Sequence, residues 1–352
     1  MEKKSKRNTK RPGKPAKRTT KAKVKKGKAS PAKSKPKPKK SKSKPAPKPK
    51  SAPQTGPKRI GFLIAAKASD WDDYIDAFTD RLHAKGWIIG NGTGPADVSI
   101  DFQPRTGAAG DLNTIRNCAA TFVRNTVDLI VTSGTQAADA CKRATATIPI
   151  VFAAAGDPVG SGLVANPTNP EANITGCCNL QTQVATLDRR IAMMNTRLNP
   201  TKVAVIGNNN PVIYPVDVAM DRALAALNTA GIPAAPKGLG CFAPSDFATA
   251  AAIRAKLVGL GNGVDVLLVC SDPVLTSHAD DLVRVAHNLG MRTMHEMREG
   301  RGHHGGDQTF GPNFTNLFRK AAEMSDKILR NTPIRNIPVH TPSSTNNVQD
   351  PP

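Results

Sequence analysis

Apolar residues follow two different periods along this chain. Continuous short runs read as strands buried on both faces: Arg59–Ala66, Val127–Ser133 (VDLIVTS), Ile148–Ala154 (IPIVFAA), Lys202–Gly207 (KVAVIG), Val264–Cys270 (VDVLLVC) and Met291–His295. Between them the spacing turns helical. Trp71–Gly86 sets Trp71, Tyr74, Ile75, Phe78 and Leu82 on one face, and Gly86 supplies the C-cap. The same reading predicts helices over Asp111–Thr126, Gln136–Thr145, Asp188–Leu198, Val216–Ala230, Phe247–Leu260, Thr276–Leu289 and Asn313–Arg330. Shorter strands are expected at Asp97–Phe102, Lys237–Gly240, Asp307–Phe310 and Ile337–His340. Alternating strands and helices of this kind make an α/β protein with parallel sheets covered by helices. There are too many strands for one sheet, and Ile174–Asn179 reads as the passage between two lobes.

In open α/β sheets ligands bind beyond the carboxyl ends of the strands. Those loops are Ala66–Trp71, Ser133–Gln136, Ala155–Gly160, Asn208–Tyr214, Ser271–Val274 and Glu296–Arg298. Each carries a candidate. Asp157, between Gly156 and Pro158, either takes a ligand ammonium or caps its own turn. Ser133 and Thr135 either receive a carboxylate at a helix N-terminus or serve as plain caps. Asp272, before Pro273, is a candidate ligand carboxylate, and Asn208 and Tyr214 line the matching loop. Trp71 either stacks on a ligand or packs in the core with Tyr74 and Phe78. Glu296 either faces the ligand or forms a surface salt bridge.

Charge splits the chain. Of 352 residues, Met1–Pro57 hold 23 Lys/Arg and a single acid, Glu2, whereas the remainder hold 27 Lys/Arg and 26 Asp/Glu. The tail therefore carries +22 of the net +23. It has no Phe, Trp, Tyr, Leu or Ile, and ten prolines. Such a segment buries too little apolar surface to offset its ordering entropy, so disorder is expected. Lys14, Lys17, Arg18, Lys25, Lys26, Lys33, Lys39 and Lys40 are candidates for neutralising DNA or RNA phosphates without reading sequence. An acidic membrane surface is a third possible partner. The bland alternative is a solubilising spacer.

No apolar core of a secretion signal precedes Ile60–Ala66, and no apolar run reaches 18 residues. The expected location is the cytoplasm, with the periplasm as the alternative if export uses another route or the start lies elsewhere. The six cysteines, Cys118, Cys141, Cys177, Cys178, Cys241 and Cys270, form no CxxC pair and no zinc spacing. Free thiols in this number suit a reducing compartment. No metal is expected at His295, His303 and His304. Gly259–Gly263 (GLGNG) precedes a strand, so it does not form a dinucleotide fingerprint. No catalytic triad or paired carboxylates emerge, and the expectation is a protein that is not an enzyme.

Ser133-Gly134-Thr135, Ile148–Val164 (IPIVFAAAGDPVGSGLV) and Asn173–Gly176 (NITG) resemble the ABC-transporter substrate-binding proteins of the tryptophan/phenylalanine type. Gly305–Pro312 (GGDQTFGP), Lys327-Ile328-Leu329 and Ile337-Pro338-Val339 follow that family's order to about Pro342. The resemblance implies a type I periplasmic-binding-protein fold, with two Rossmann-like lobes joined by three crossovers and closing on a small solute. It implies an amino-acid-like ligand, an ABC permease as partner, no cofactor and no catalytic residue. On that pattern residues 58–176 and 302–332 form lobe 1, residues 177–301 and 333–342 form lobe 2, and residues 343–352 fray. Three features depart from it. The basic tail stands where a signal is usual, Ala165–Ala172 (ANPTNPEA) lacks the usual glycine pair, and the sequence stops soon after Pro342. The competing expectation is a nucleic-acid-associated architectural protein whose globular part is a dimerisation or sensor module.

Overall fold

The computed structural model describes residues 57–65, 71–90, 97–103, 111–179, 183–208, 216–296, 306–342 and 348–349. The chain divides into two units, Met1–Pro53 and Gln54–Pro352. The first, with all eight candidate phosphate-binding residues of the tail, lies outside the described residues, as do Tyr214, His303 and His304.

The first lobe is built from β1 (Lys58–Ile64), α1 (Asp72–Ala84), β2 (Ile89–Gly90), β3 (Val98–Gln103), α2 (Leu112–Arg124), β4 (Leu129–Ser133), α3 (Thr135–Ala144), β5 (Ile150–Ala155) and β6 (Ile174–Cys178). The sheet order is β2-β3-β1-β4-β5-β6, and every pairing is parallel. β4 and β5 are buried at every position, which is why they read as unbroken apolar runs. Helix α1 buries Tyr74, Ala77, Phe78 and Leu82, with Asp72 and Asp73 in its first turn and Arg81 and His83 in its last, the arrangement its dipole favours. Helices α2 and α3 cover the other face through Ile115, Phe122, Ala138 and Cys141.

The second lobe contains α4 (Val184–Leu198), β7 (Val203–Asn208), α5 (Val216–Thr229), β8 (Cys241–Phe242), α6 (Ala250–Val258), β9 (Val266–Val269), α7 (Pro273–Ser277), α8 (Ala279–His287), β10 (Arg292–His295) and β11 (Gln308–Phe310). After β11 the chain returns to the first lobe as α9 (Phe314–Leu329), whose Phe318 packs with Phe62 and Tyr74. It then ends in β12 (Val348–Gln349), antiparallel to β11. The second sheet runs β12-β11-β10-β9-β7-β8. Three connections thus join the lobes, between residues 178 and 184, 310 and 314, and 340 and 348.

The structure corrects several expectations. Ile174–Cys178 is no passage but a buried edge strand of the first sheet. β11 belongs to the second sheet, although residues 302–332 are assigned to lobe 1 on the family pattern. Residues 333–342, expected in lobe 2, lie against lobe 1. Thr175 Oγ1 donates to the Ile337 carbonyl at 2.8 Å, and the N–H groups of Cys178 and His340 reach His340 and Gly176 carbonyls at 2.8 Å each. The exposed edge of β6 needs those partners, and Ile337 completes the first lobe's core. The expected strand there reduces to a single bridge at His340. Part of the supposedly frayed end pairs as β12. Lys237–Gly240 forms a 3₁₀ turn ahead of β8. The single helix expected over Thr276–Leu289 breaks at His278 (φ −120°), whose ring stacks on Phe247 at 5.3 Å.

Candidate functional site

The predicted residues of the first lobe lie at the ends of β1, β4 and β5. Gly134 is the N-cap of α3 with φ 82°, a backbone region that side-chain-bearing residues rarely enter. It has no side chain to offer, and no side chain caps the first turn of α3. The N–H groups there point out of a helix N-terminus carrying a partial positive charge. Ser133 is buried beside it, and Thr135 Oγ1 accepts the Gly156 N–H at 3.0 Å, tying the ends of β4 and β5 together.

Asp157 serves its own turn. Its Oδ1 accepts the Gly160 N–H at 2.8 Å and its carbonyl accepts the Ser161 N–H at 2.9 Å. Trp71 takes the core alternative: its ring centroid lies 5.3 Å from Tyr74, 5.8 Å from Phe318 and 6.3 Å from Phe314. The indole Nε1 is buried without a hydrogen-bond partner.

Charge enters on the other side. Asp272 follows β9 and caps α7, accepting the Val274 and Leu275 N–H groups on Oδ1 at 2.8 and 3.3 Å. Asn208, the last residue of β7, donates Nδ2 to the same oxygen at 3.3 Å. Oδ2 is buried with no partner, in a residue only 2 % exposed. Burial pushes the Asp272 carboxyl above its ordinary pKa, against the opposing hydrogen bonds from Val274, Asn208 and Leu275. An ionised carboxylate with one oxygen dry and unpaired is costly unless a cation arrives.

Glu296 forms a salt bridge, but a buried one and not the surface pair expected. Its Oε1 accepts Arg190 Nη1 at 2.6 Å and its Oε2 accepts the Ser271 N–H at 2.9 Å, with Arg190 and Glu296 side chains 1 % and 4 % exposed. Both oxygens are taken by protein donors.

Arg190 is absent from the sequence candidates because it sits in a charged run, Asp188-Arg189-Arg190. The signal for it is the buried stripe Thr186, Leu187, Arg190, Ile191, Met194 and Leu198, on which it occupies a helical-period position. Neighbouring His295 is buried, and burial lowers its pKa to about 4, so the ring is neutral near pH 7. The six cysteines are all free, and burial pushes the thiols of Cys141, Cys177 and Cys270 upward. Among the described residues no group of three metal-ligating side chains occurs, and no helix is long and apolar enough to cross a membrane.

Comparison with known proteins agrees with this architecture. Residues 90–228 match the family model of ABC transporter substrate binding proteins. A tyrosine-binding protein of Clostridioides difficile is 27% identical over 290 residues, covering 82% of this chain and 77% of that protein. Among solved structures, an ABC domain from Streptococcus pneumoniae in complex with L-Trp superposes with TM-score 0.66 at 20% identity, covering 82% of this chain and 90% of that one. A conserved domain protein of Vibrio cholerae superposes with TM-score 0.67 at 20% identity, covering 81% and 89%.

Proposed function

We propose that this chain, which has the type I periplasmic-binding-protein fold and resembles the ABC transporter substrate-binding proteins, binds an aromatic amino acid between its lobes without transforming it. The ligand carboxylate meets the uncapped N-terminus of α3 beside Ser133 and Thr135, where N–H groups and the helix dipole favour an anion. The ligand ammonium meets Asp272 Oδ2. The observation that carries the reading is this oxygen: buried, acidic and unpartnered at the end of a second-lobe strand. Asn208 holds the other oxygen and so aims the carboxylate. Aromatic character of the side chain is supported by the tyrosine-binding relative. An ABC permease is the partner this reading implies.

Calorimetric titration of the full chain with the proteinogenic amino acids tests it. L-tyrosine or L-tryptophan is expected to bind best, and heat-silent titrations with the whole panel would contradict it.

The tail calls for a second, separable role. The +22 segment Met1–Pro57 tethers the binding module to nucleic acid by neutralising phosphates. With about 8 phosphates engaged, log K for duplex DNA falls against log[salt] with a slope of roughly −7. Undiminished DNA binding after removal of Met1–Pro57 would overturn this assignment. It would favour the reading in which the globular part itself belongs to an architectural protein.

A further inference from the structure

Groups from two strand ends of the second lobe converge on one side chain of α4, and a third strand end reaches it through one of them. Arg190 donates Nη1 to Glu296 Oε1 at 2.6 Å and Nε to the carbonyl of Phe310, the last residue of β11, at 2.7 Å. Glu296 lies just past β10, and its Oε2 accepts the N–H of Ser271, the residue before Asp272, at 2.9 Å. The backbone after β11 is pressed against the same glutamate. A Cβ at Gly311 would stand 1.7 Å from the Glu296 carbonyl oxygen, so a side chain there is excluded. Gly311 begins the connection that carries the chain from β11 back to α9 in the first lobe.

One buried ion pair therefore touches both the turn that bears Asp272 and the backbone that leaves the lobe. A buried pair of this kind is weak evidence for stability, since apolar replacements of equal volume often serve as well. What it supplies is geometry. The planar guanidinium fork fixes two acceptors at once, and the carboxylate fixes a third group on its other oxygen.

We infer that Arg190 and Glu296 are positioning residues, whose ion pair locks the Ser271–Asp272 turn to the Phe310–Gly311 connection and thereby sets ligand affinity at Asp272. The inference rests on the ligand reading above for its last step only. The locking of the turn stands on the hydrogen bonds alone.

Two measurements on the full chain keep these apart. The first is amide hydrogen exchange without ligand, comparing Ser271–Leu275 with the β7 strand. The second is titration with L-tyrosine. Arg190→Lys keeps the charge and loses the fork. It is expected to speed exchange over Ser271–Leu275 about tenfold, leave β7 at its wild-type rate, and weaken L-tyrosine binding about tenfold. Should that variant not fold, Arg190→Met combined with Glu296→Gln removes both charges and keeps an amide oxygen for Ser271. It is expected to show the same pattern.

Unchanged exchange at Ser271–Leu275 in a folded variant overturns the inference, as does a uniform acceleration across the second lobe. Unchanged L-tyrosine affinity alongside local loosening overturns its last step. A wild-type chain that binds no amino acid defeats the ligand reading, while the exchange result still decides whether the pair locks the turn.

Discussion

The two lobes share a five-stranded parallel core, β3-β1-β4-β5-β6 in the first and β8-β7-β9-β10-β11 in the second, and present opposite chemistry at equivalent places. In each, a strand ends and a helix begins: β4 passes through Gly134 into α3, and β9 passes through Asp272 into α7. The glycine leaves a helix N-terminus without a side-chain cap, and the aspartate places a buried carboxylate in the same position. The contrast extends beyond that pair. Apart from cysteines and the Tyr74 phenol, the buried ionisable side chains among the described residues are Arg190, Asp272, His295 and Glu296, all in the second lobe. The first lobe's buried polar groups there are neutral: Thr132, Ser133, Gln136, Thr145, Thr175, Asn179 and Ser325. One fold can thus offer N–H donors to an anion from one side and an acid to a cation from the other, with the sign set by the residue at a helix cap.

The buried charges should make the second lobe the pH-sensitive one. Burial holds the His295 pKa down at about 4, below its unfolded value near 6.5. A depressed basic group contributes stability above the unfolded pKa and loses it as pH falls through the folded one. We therefore expect the protein to lose roughly 3 kcal/mol between pH 6.5 and 4 through this residue. His295→Asn should flatten that part of the melting-temperature profile, and an unchanged profile would assign the sensitivity elsewhere. Asp272 works in the opposite sense. Its carboxyl pKa is raised by burial, so its ionisation costs stability as pH rises from the unfolded carboxylate range through the folded pKa.

A smaller effect is expected from Asp272→Asn. The amide oxygen still caps α7, so the melting temperature should hold while L-tyrosine affinity falls about a hundredfold, near 2.7 kcal/mol. A large melting-temperature drop with intact affinity would make Asp272 a structural cap and nothing more. The smallest effect belongs to the neutral lobe. Thr135→Val removes the acceptor for the Gly156 N–H and should cost about 1 kcal/mol in thermal unfolding.

Much of this was legible in the residue pattern. Buried strands read as apolar runs, and Asp-Pro after VDVLLVC places Asp272 at a strand end. Trp71, at helical spacing with Tyr74 and Phe78, sits in the core. What stayed hidden depends on partners distant in sequence. Glu296 is named by position, but its role is decided by Arg190, 106 residues away. Ile337–His340 reads as a strand from composition, yet nothing local says which sheet edge it meets. The break at His278 depends on Phe247, which lies on another element.

The central claim is that the lobes divide a zwitterion, carboxylate to the first and ammonium to the second. Its most direct test is a calorimetric comparison of L-tyrosine, tyramine and 3-(4-hydroxyphenyl)propionate on wild-type and Asp272→Asn chains. The account predicts that the substitution weakens the two amines about a hundredfold and leaves the amine-free acid no weaker than before. Equal loss for all three ligands would contradict it.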